Sequence, residues 1–321
     1  MQPNKLALFR RRASWCYLTV RRGIISRWSA LLNELIYESE TIRDITKLPM
    51  SKLALASLCA SLLSCAAQHA EYYIDQLDDP RRQVRLDASH ALVQLGGAAV
   101  EPLMDSATAG SDSLRYIAAQ ILGQIGDQRA TPFLKSLLRD ENRHVREQAV
   151  RALGQLDDPR LHATLASVLA DDSVPDVRGA AAWSLGNLRD TTAVPSLVRA
   201  LSDTVPSVRR QALAALQFLW TSEAEAAALN ALRDHDDTVR YIAVQLLGHH
   251  RTHRALAALC LALTDDNIWV RAESARTLGR IGDTTAVAPL ERMFAERDGP
   301  DHEAAKETLQ LLTGLNYAVA P

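Results

Sequence analysis

The sequence has little cysteine and few aromatic residues. Of its four cysteines, only Cys260 lies beyond residue 65. No disulfide framework is therefore available to residues 66–321, and cysteine usage indicates no redox compartment. Phe, Trp and Tyr make up 5% of a chain that is 47% hydrophobic. That mix is typical of helices rich in Ala and Leu and is unlike a β-sandwich.

An excess of positive charge is absent from most of the chain. Of the 36 Lys and Arg and the 38 Asp and Glu, residues 1–70 hold ten and four, which leaves 26 basic and 34 acidic residues in 71–321. Nucleic acids bind basic surfaces, because the bound protein must neutralise phosphates. The sequence therefore predicts no nucleic-acid partner.

A repeat of about 31 residues fills the chain after residue 70. Each copy is anchored on a Val-Arg or Leu-Arg pair, and successive anchors are 30 to 32 residues apart. The anchors are Val84, Leu114, Val145, Val177, Val208, Val239 and Val270, and a degenerate copy follows at Asp301. Apolar or small residues stand at 0, +4, +7/+8 and +11 from the anchor, as in "VRLDASHALVQLG". This spacing predicts one buried face of an α-helix, named helix B.

A second apolar segment precedes each anchor, as in "ATPFLKSLL" and "AVPSLVRAL". It predicts a helix A, with Pro102, Pro132, Pro195 and Pro289 in its first turn, where a missing N–H is harmless. Neither helix buries its apolar stripe alone, so the units must stack. The prediction is all-α: a right-handed α-solenoid of about eight two-helix repeats over residues 70–321, with a degenerate last repeat.

Two further residue types recur once per unit. An Asp stands five residues before six of the anchors, and an Arg follows each of the first seven. Together they predict a ladder of ion pairs along the turns, not acid–base chemistry. A Gly stands at +9, inside helix B, in five units. We expect it to permit close approach of a neighbouring helix, since an interior Gly otherwise costs about 1 kcal/mol.

The helix B pattern "VRxxAxxALGxLGD" and the helix A pattern "AVxPL" resemble the short HEAT-like repeats named for phycobilin-lyase subunits, over residues 70–314. The resemblance implies HEAT-like repeats but not one activity, because relatives include bilin-lyase subunits, deoxyhypusine hydroxylase and bacterial scaffolds. The hydroxylase holds two irons with several His-Glu pairs. This chain has one such pair, His302-Glu303, so di-iron chemistry is not expected. The sequence predicts no catalytic residue and no cofactor.

The candidate partner-binding surface follows from the solenoid. Helix B of such repeats lines the concave side, where positions +3, +6 and +10 should face outward. Amide groups there could bond to an extended peptide, and two aromatic residues could receive an anchor side chain. Alternatively, these positions are polar only because they are exposed. The candidates are Gln120, Gln124, Arg151, Gln155, Trp183, Asn187, Phe218, Gln245 and His249.

Three histidines in "GHHRTHR" are weak metal-ligand candidates: His249, His250 and His253. No cysteine or carboxylate has ligand spacing beside them. His250 also stands at +11, a position that is apolar in the other units. It is better interpreted as a partly buried residue at a helix end, and no metal is predicted. Cys260 in "LAALCLAL" is interpreted as a small buried residue of helix A.

Residues 50–69 begin with "MSKLALASLCASLLSCAAQ", which has the sequence features of a signal peptide. These are one Lys, an apolar run over 53–63 and small residues at a candidate cleavage site. The run is too short to span a bilayer. Cys65 could carry a lipid anchor, or the chain could be cut after Ala66 or Ala67. Alternatively, the segment is a helix that caps the solenoid. Residues 1–49 are expected to be an unstructured extension or to lie outside the true reading frame, with a transit peptide as the alternative.

The predicted function is a scaffold that binds a protein or peptide along the concave face. Its predicted place is the periplasm or cell envelope if Met50 is the true start, and the cytoplasm otherwise. The membrane would be reached only through a lipid on Cys65. The rival prediction, by family analogy alone, is an enzyme or enzyme accessory, either a bilin-lyase-like subunit or an oxidoreductase relative.

Overall fold

The computed structural model describes residues 68–296 and 299–317, and in that part of the chain it contains helices and turns but no strand. The all-α prediction is confirmed. The predictions for residues 1–49, for most of the 50–69 segment and for Cys65 lie outside the described residues. Residues 68–74 are helical and lie where the first helix A is expected.

The helices alternate between two roles, as predicted. The A helices after residues 68–74 are α2 (Gly97–Thr108), α4 (Thr131–Leu137), α6 (His162–Asp171), α8 (Val194–Ala200), α10 (Ser222–Ala231), α12 (Leu256–Ala262) and α14 (Val287–Glu296). The B helices are α1 (Arg82–Leu95), α3 (Asp112–Ile125), α5 (Arg143–Gln155), α7 (Pro175–Asn187), α9 (Pro206–Leu216), α11 (Asp237–His249), α13 (Ile268–Ile281) and α15 (Pro300–Thr313). Over the described residues this gives eight A–B pairs.

The B helices form because one face of each is apolar, and in α3, α5, α11 and α13 a side chain also caps the first turn. In α5 the anchor Val145 and the residues Ala149, Ala152 and Leu153 are all fully buried. Asn142 caps the helix by accepting a hydrogen bond from the backbone N–H of His144 at 2.9 Å. Each B helix packs against its own A helix and against the B helix of the next unit. The buried side chains join into one continuous apolar core, which is the stacked solenoid that the repeat predicts.

An Asp begins most A segments. Asp127, Asp158, Asp190 and Asp283 each accept a hydrogen bond from the backbone N–H two residues on. These bonds cap short 3₁₀ turns from which α4, α6, α8 and α14 continue. Each of these four A helices is thus continuous with a capped turn.

The prediction that Pro102 lies in a first turn is wrong. The second unit has Gly96-Gly97 where four other units have the capping Asp, and α2 runs as an α-helix from Gly97. Pro102 is therefore inside the helix, where its ring replaces the N–H that would bond to Ala98. Pro132 and Pro195 are the second residues of α4 and α8 and therefore lie in the first turn, as predicted.

The predicted Arg–Asp ladder exists, and it joins successive units. Arg178 donates from Nε and Nη2 to the two carboxylate oxygens of Asp203 in the next unit, at 2.7 and 2.9 Å. Its Nη1 donates to the backbone oxygen of Asp172 in its own unit at 2.8 Å. The same link recurs as Arg115–Asp140, Arg146–Asp172, Arg209–Asp234, Arg240–Asp265 and Arg271–Asp301. The ladder is therefore structural, because every carboxylate in it is engaged.

The glycines at +9 mark close helix contacts, as predicted. A Cβ built on Gly186 would lie 3.0 Å from the Cα of Ala215 on the next B helix. The partner is always a small residue at +7 of that helix. The pairs are Gly123 with Ala152, Gly154 with Ser184, Gly186 with Ala215, Gly248 with Thr277 and Gly279 with Thr308. Ser184 and Thr308 also donate hydrogen bonds across the contact to Val150 and Ala275 backbone oxygens, both at 3.1 Å.

Candidate functional site: the B-helix face and its cleft

The residues at +6 and +10 form what we call the B-helix face, and all of those predicted as partner-binding residues reach the surface. Gln120, Gln124, Gln155, Gln245 and His249 are exposed, and Arg151, Trp183 and Asn187 are half-buried. Two of them contact other side chains of the same helix. Arg151 pairs with Glu147 at 2.9 Å, and Gln245 donates to the Tyr241 hydroxyl at 3.1 Å. The remaining amides are free of side-chain bonds to described residues.

The placement of Phe218 differs from the prediction. The sequence places it at +10 of a regular helix, but α9 ends at Leu216. The backbone N–H groups of Gln217, Phe218 and Leu219 bond to carbonyls three residues back, so the last turn is tightened. Phe218 therefore lies on the turn after α9, where it is 52% exposed.

Position +3 is not uniformly outward, contrary to the prediction. Gln211 is exposed at that position, whereas Glu273 on α13 is only 4% exposed. The buried Glu273 carboxylate pairs with Arg280 at 2.9 Å and with Arg276 at 3.7 Å. These two arginines offset the unfavourable burial of its charge.

A cleft of about 600 Å³ opens on the B-helix face between α9 and α11. Its apolar lining includes Leu213, Ile242 and Leu246. Its polar lining comprises Gln217, Gln245, His249, Arg251, Glu273 and Arg280. The volume is within the roughly 300–1,000 Å³ that small-ligand sites occupy.

The cleft lies where the pairing of small residues is interrupted. Between α9 and α11, position +9 is Gln217 and the facing +7 position is Leu246. Two large side chains thus replace the Gly–Ala, Gly–Ser or Gly–Thr pair of the neighbouring contacts. Large residues at both positions do not allow the close approach that the glycine pairs allow, and the cleft is found at this contact. Position +9 is also occupied by a larger residue at Val93, in the first unit.

The three candidate metal ligands are placed differently from one another. The His250 ring stacks on Trp220, with centroids 4.0 Å apart, and lies edge-on to His249 at 4.9 Å. His253 is exposed on the following 3₁₀ turn. Over residues 68–296 and 299–317, no group of three His, Cys, Asp or Glu side chains has metal-binding geometry. His250 is half-buried at the helix end, as the sequence indicates.

Burial perturbs two titratable groups in this part of the chain. Burial, and then the neighbouring His249, lower the pKa of His250, while the backbone of Gln217 acts in the opposite direction. Burial also raises the pKa of the half-buried Cys260 thiol. Burial therefore favours the neutral form of both groups, and Cys260 is interpreted as a packing residue.

Gln217, Leu246, Arg251 and Glu273 were missed as site residues by sequence reasoning. A signal was present for the first two, because the Gly at +9 is missing from this unit and a Leu replaces the small residue at +7 of the next. Arg251 and Glu273 carried no such signal, since the cleft is assembled from three consecutive units.

Comparison with known proteins agrees with this architecture. A family model for HEAT repeats matches residues 100–186, 163–237 and 225–310. The solved structure of Escherichia coli YibA has a TM-score of 0.57 at 23% identity, covering 83% of this chain and 98% of that one. No curated protein sequence matches the chain.

Two further solved structures are more distant. The Nostoc phycocyanin lyase complex of CpcE and CpcF gives a TM-score of 0.41 at 27% identity, over 46% of this chain and 98% of that one. Human deoxyhypusine hydroxylase has a TM-score of 0.35 at 25% identity, covering 78% of this chain and 98% of that one.

Within the described residues, no helix is both long and apolar enough to cross a bilayer. Because the family model spans well over half of the chain, this protein belongs to the HEAT-repeat family.

Proposed function

We propose that this protein is a scaffold that binds an extended polypeptide along the B-helix face, on the concave side of the solenoid. The proposal is supported chiefly by the row of amide side chains on successive B helices. Gln120, Gln124 and Gln155 are exposed and have no side-chain hydrogen bond to described residues. An amide can donate to a peptide carbonyl and accept from a peptide N–H, so the row matches an extended backbone.

Aromatic side chains would supply the anchor of this interface. Trp183 is half-buried on α7, and Phe218 is 52% exposed on the turn after α9. A partly covered aromatic ring loses little conformational entropy on binding and buries a large area, which is why such residues dominate interface energies.

The test is capture of a polypeptide from the native host by the purified protein. Trp183→Ala and Phe218→Ala should each reduce the captured amount at least tenfold without changing the circular dichroism spectrum. Trp269→Ala is the matched control, because Trp269 is 57% exposed near the N-terminus of α13, away from positions +6 and +10. If Trp183→Ala and Phe218→Ala capture as much polypeptide as the wild type, the proposal is contradicted.

We further propose that the scaffold acts in the periplasm or cell envelope, with residues 50–69 removed as a signal peptide or Cys65 lipidated. Support comes only from the composition of that segment. Mass spectrometry of the native N-terminus tests it. A mature start between Cys65 and Gln68 supports export, and a peptide from residues 1–49 in the mature protein contradicts it. A coloured or metal-loaded native protein would instead favour the enzyme or enzyme-accessory alternative.

A further inference from the structure

We propose that the cleft between α9 and α11 binds a carboxylate that the partner polypeptide presents beside an apolar side chain. The inference rests on the proposed scaffold function and specifies which chemistry that partner brings to one place on the B-helix face.

The floor of the cleft is suited to an apolar side chain. Leu213 is fully buried, Leu246 is 4% exposed and Ile242 is half-buried, and all three line the cleft. An aliphatic or aromatic side chain that enters this space would contact Leu213 and Leu246 and would remove the remaining apolar surface of Ile242 from water. The cleft therefore favours ligands with at least one apolar side chain.

The rim of the cleft carries more positive than negative charge. Arg251 and Arg280 line it, and Glu273 is the one acidic residue among the lining residues. Arg251 is exposed and makes no ion pair with any described residue. Glu273 already pairs with both Arg280 and Arg276, so its charge is more than balanced. The net surplus favours an anionic group on the ligand.

Arg280 is held in position for such a group. It reaches back two helical turns, with Nη2 donating to Glu273 at 2.9 Å, while its side chain stays 44% exposed. A guanidinium has five N–H donors in a planar fork, so donors remain for a second carboxylate. Glu273 thus acts as a positioning residue, which orients Arg280 towards the cleft.

Amide groups complete the site. Gln217 and Gln245 line the cleft and are both exposed. They can bond to the backbone of a peptide whose side chain occupies the floor. Gln217 occupies the +9 position that is glycine at the neighbouring contacts, so its side chain places a hydrogen-bonding group in the lining of the cleft.

A carboxylate beside an apolar side chain has two sources in a polypeptide, a C-terminus or an internal Asp or Glu. Three peptides distinguish them: N-acetyl-Gly-Leu with a free carboxylate, its C-terminal amide, and N-acetyl-Asp-Leu-amide. Each is titrated into the full chain labelled at Ile and Leu methyl groups. We expect the methyl signals of Ile242 and Leu246 to shift saturably with at least one carboxylate peptide. The neutral amide should bind at least tenfold more weakly.

Variants test the role of the two arginines. Arg251→Ala and Arg280→Ala should each weaken binding of the carboxylate peptide about tenfold, since each removes a charge-assisted contact. Arg233→Ala is the matched control, because Arg233 is an exposed arginine outside the cleft lining, and its variant should bind normally. If Arg280→Ala fails to fold because Glu273 loses its partner, the neutral pair Glu273→Gln with Arg280→Gln replaces it.

Equal binding of the neutral amide, or the absence of saturable shifts with both carboxylate peptides, would overturn the proposal. Failure of the cleft is distinguishable from failure of the scaffold. A captured polypeptide that is lost with Trp183→Ala but retained by Arg251→Ala and Arg280→Ala would show that only the cleft assignment is wrong. If the peptides bind but no polypeptide is captured, the cleft accepts a small carboxylate, and the proposal that a partner polypeptide supplies it is wrong.

Discussion

Gln217, just after α9, and Leu246, on α11, line one cleft at the two positions where neighbouring B helices pair a glycine with Ala, Ser or Thr. A solenoid built from near-identical units presents a nearly uniform surface, and uniform surfaces give little specificity. Gln217 and Leu246 depart from the pairing of small residues, as Val93 also does in the first unit, and the cleft makes their place on the B-helix face different from its neighbours.

Two glycines of α7 test whether the +9 glycine permits close helix packing. Substitution by Ala should change the free energy of unfolding in opposite directions at the two positions. Gly186→Ala places a Cβ 2.9 Å from the Cβ of Ala215 and should lower the free energy of unfolding by about 2 kcal/mol, as overpacking does. Gly179→Ala meets only the flexible Gln211 side chain, at 3.3 Å, and should raise stability by up to about 1 kcal/mol through helix propensity.

Urea denaturation of the two variants and the wild type measures both effects. Equal destabilisation by the two substitutions would show that Gly186 has no special role at the contact between α7 and α9.

The Arg–Asp ladder should contribute more than an ordinary surface pair. The Arg178 and Asp203 side chains are only 13% and 12% exposed, and Asp203 also accepts from the backbone N–H of Val205 at 2.8 Å. Asp203→Asn should lower the free energy of unfolding by about 1–3 kcal/mol, because a charged group loses its partner. Glu147→Gln, which breaks the more exposed pair with Arg151, should lower it by less than about 1 kcal/mol.

Both variants are compared by thermal and urea unfolding. If Asp203→Asn unfolds like the wild type, the ladder accompanies the stacking of the units without stabilising it.

Acid should weaken the ladder. The hydrogen bond from Arg178 holds the pKa of Asp203 below its ordinary value, in spite of burial. Outside the ladder, the hydrogen bonds from Arg81 lower the pKa of Asp79 to about 2. A carboxylate with a depressed folded pKa contributes stability that is fully present above its unfolded pKa, near 4, and is lost as the pH falls through its folded pKa. The free energy of unfolding should therefore decrease between about pH 4 and pH 2.

The measurement is urea unfolding across this pH range for the wild type and Asp203→Asn, which should show a shallower dependence. An identical pH profile for the two proteins would exclude a contribution from Asp203.

Through His250, acidification should lower the free energy of unfolding at a pH nearer to neutral. Its pKa is lowered by burial and by His249, so the folded protein favours the neutral ring that stacks on Trp220. Protonation below about pH 6 should therefore destabilise the protein, and His250→Phe should remove that part of the pH dependence.

EDTA should leave the melting temperature of the untagged wild type unchanged at pH 7. A decrease would contradict the placement of the three histidines.

The periodic features of this chain could be predicted, and the exceptions could not. The recurring Val-Arg anchor predicts helix B because buried residues must return every 3.6 positions. The Gly at +9 in five units and the Asp before six of the anchors could likewise be interpreted from their recurrence, and their contacts are as predicted. The predicted positions of Pro102 and Phe218 were wrong because each residue lies where its unit departs from the repeat pattern. The pattern does not predict where helix bounds differ in a single unit.

The candidate site was predicted in the same uneven way. Exposure of the amides at +6 and +10 follows from helical geometry and is as expected. The burial of Glu273 depends on Arg276 and Arg280, whose rotamers no spacing rule specifies. The cleft is lined by residues of three consecutive units, and the pattern within one unit does not predict that they come together.

The most direct test of the scaffold account is site-specific photo-crosslinking in the native host. A photoreactive phenylalanine analogue is placed at Gln155 or Gln245 on the B-helix face, or at Leu261, which is 69% exposed on the A helix α12. The account predicts that one polypeptide crosslinks at Gln155 and Gln245 and not at Leu261. Crosslinking at Leu261 alone, or at none of the three positions, would contradict it.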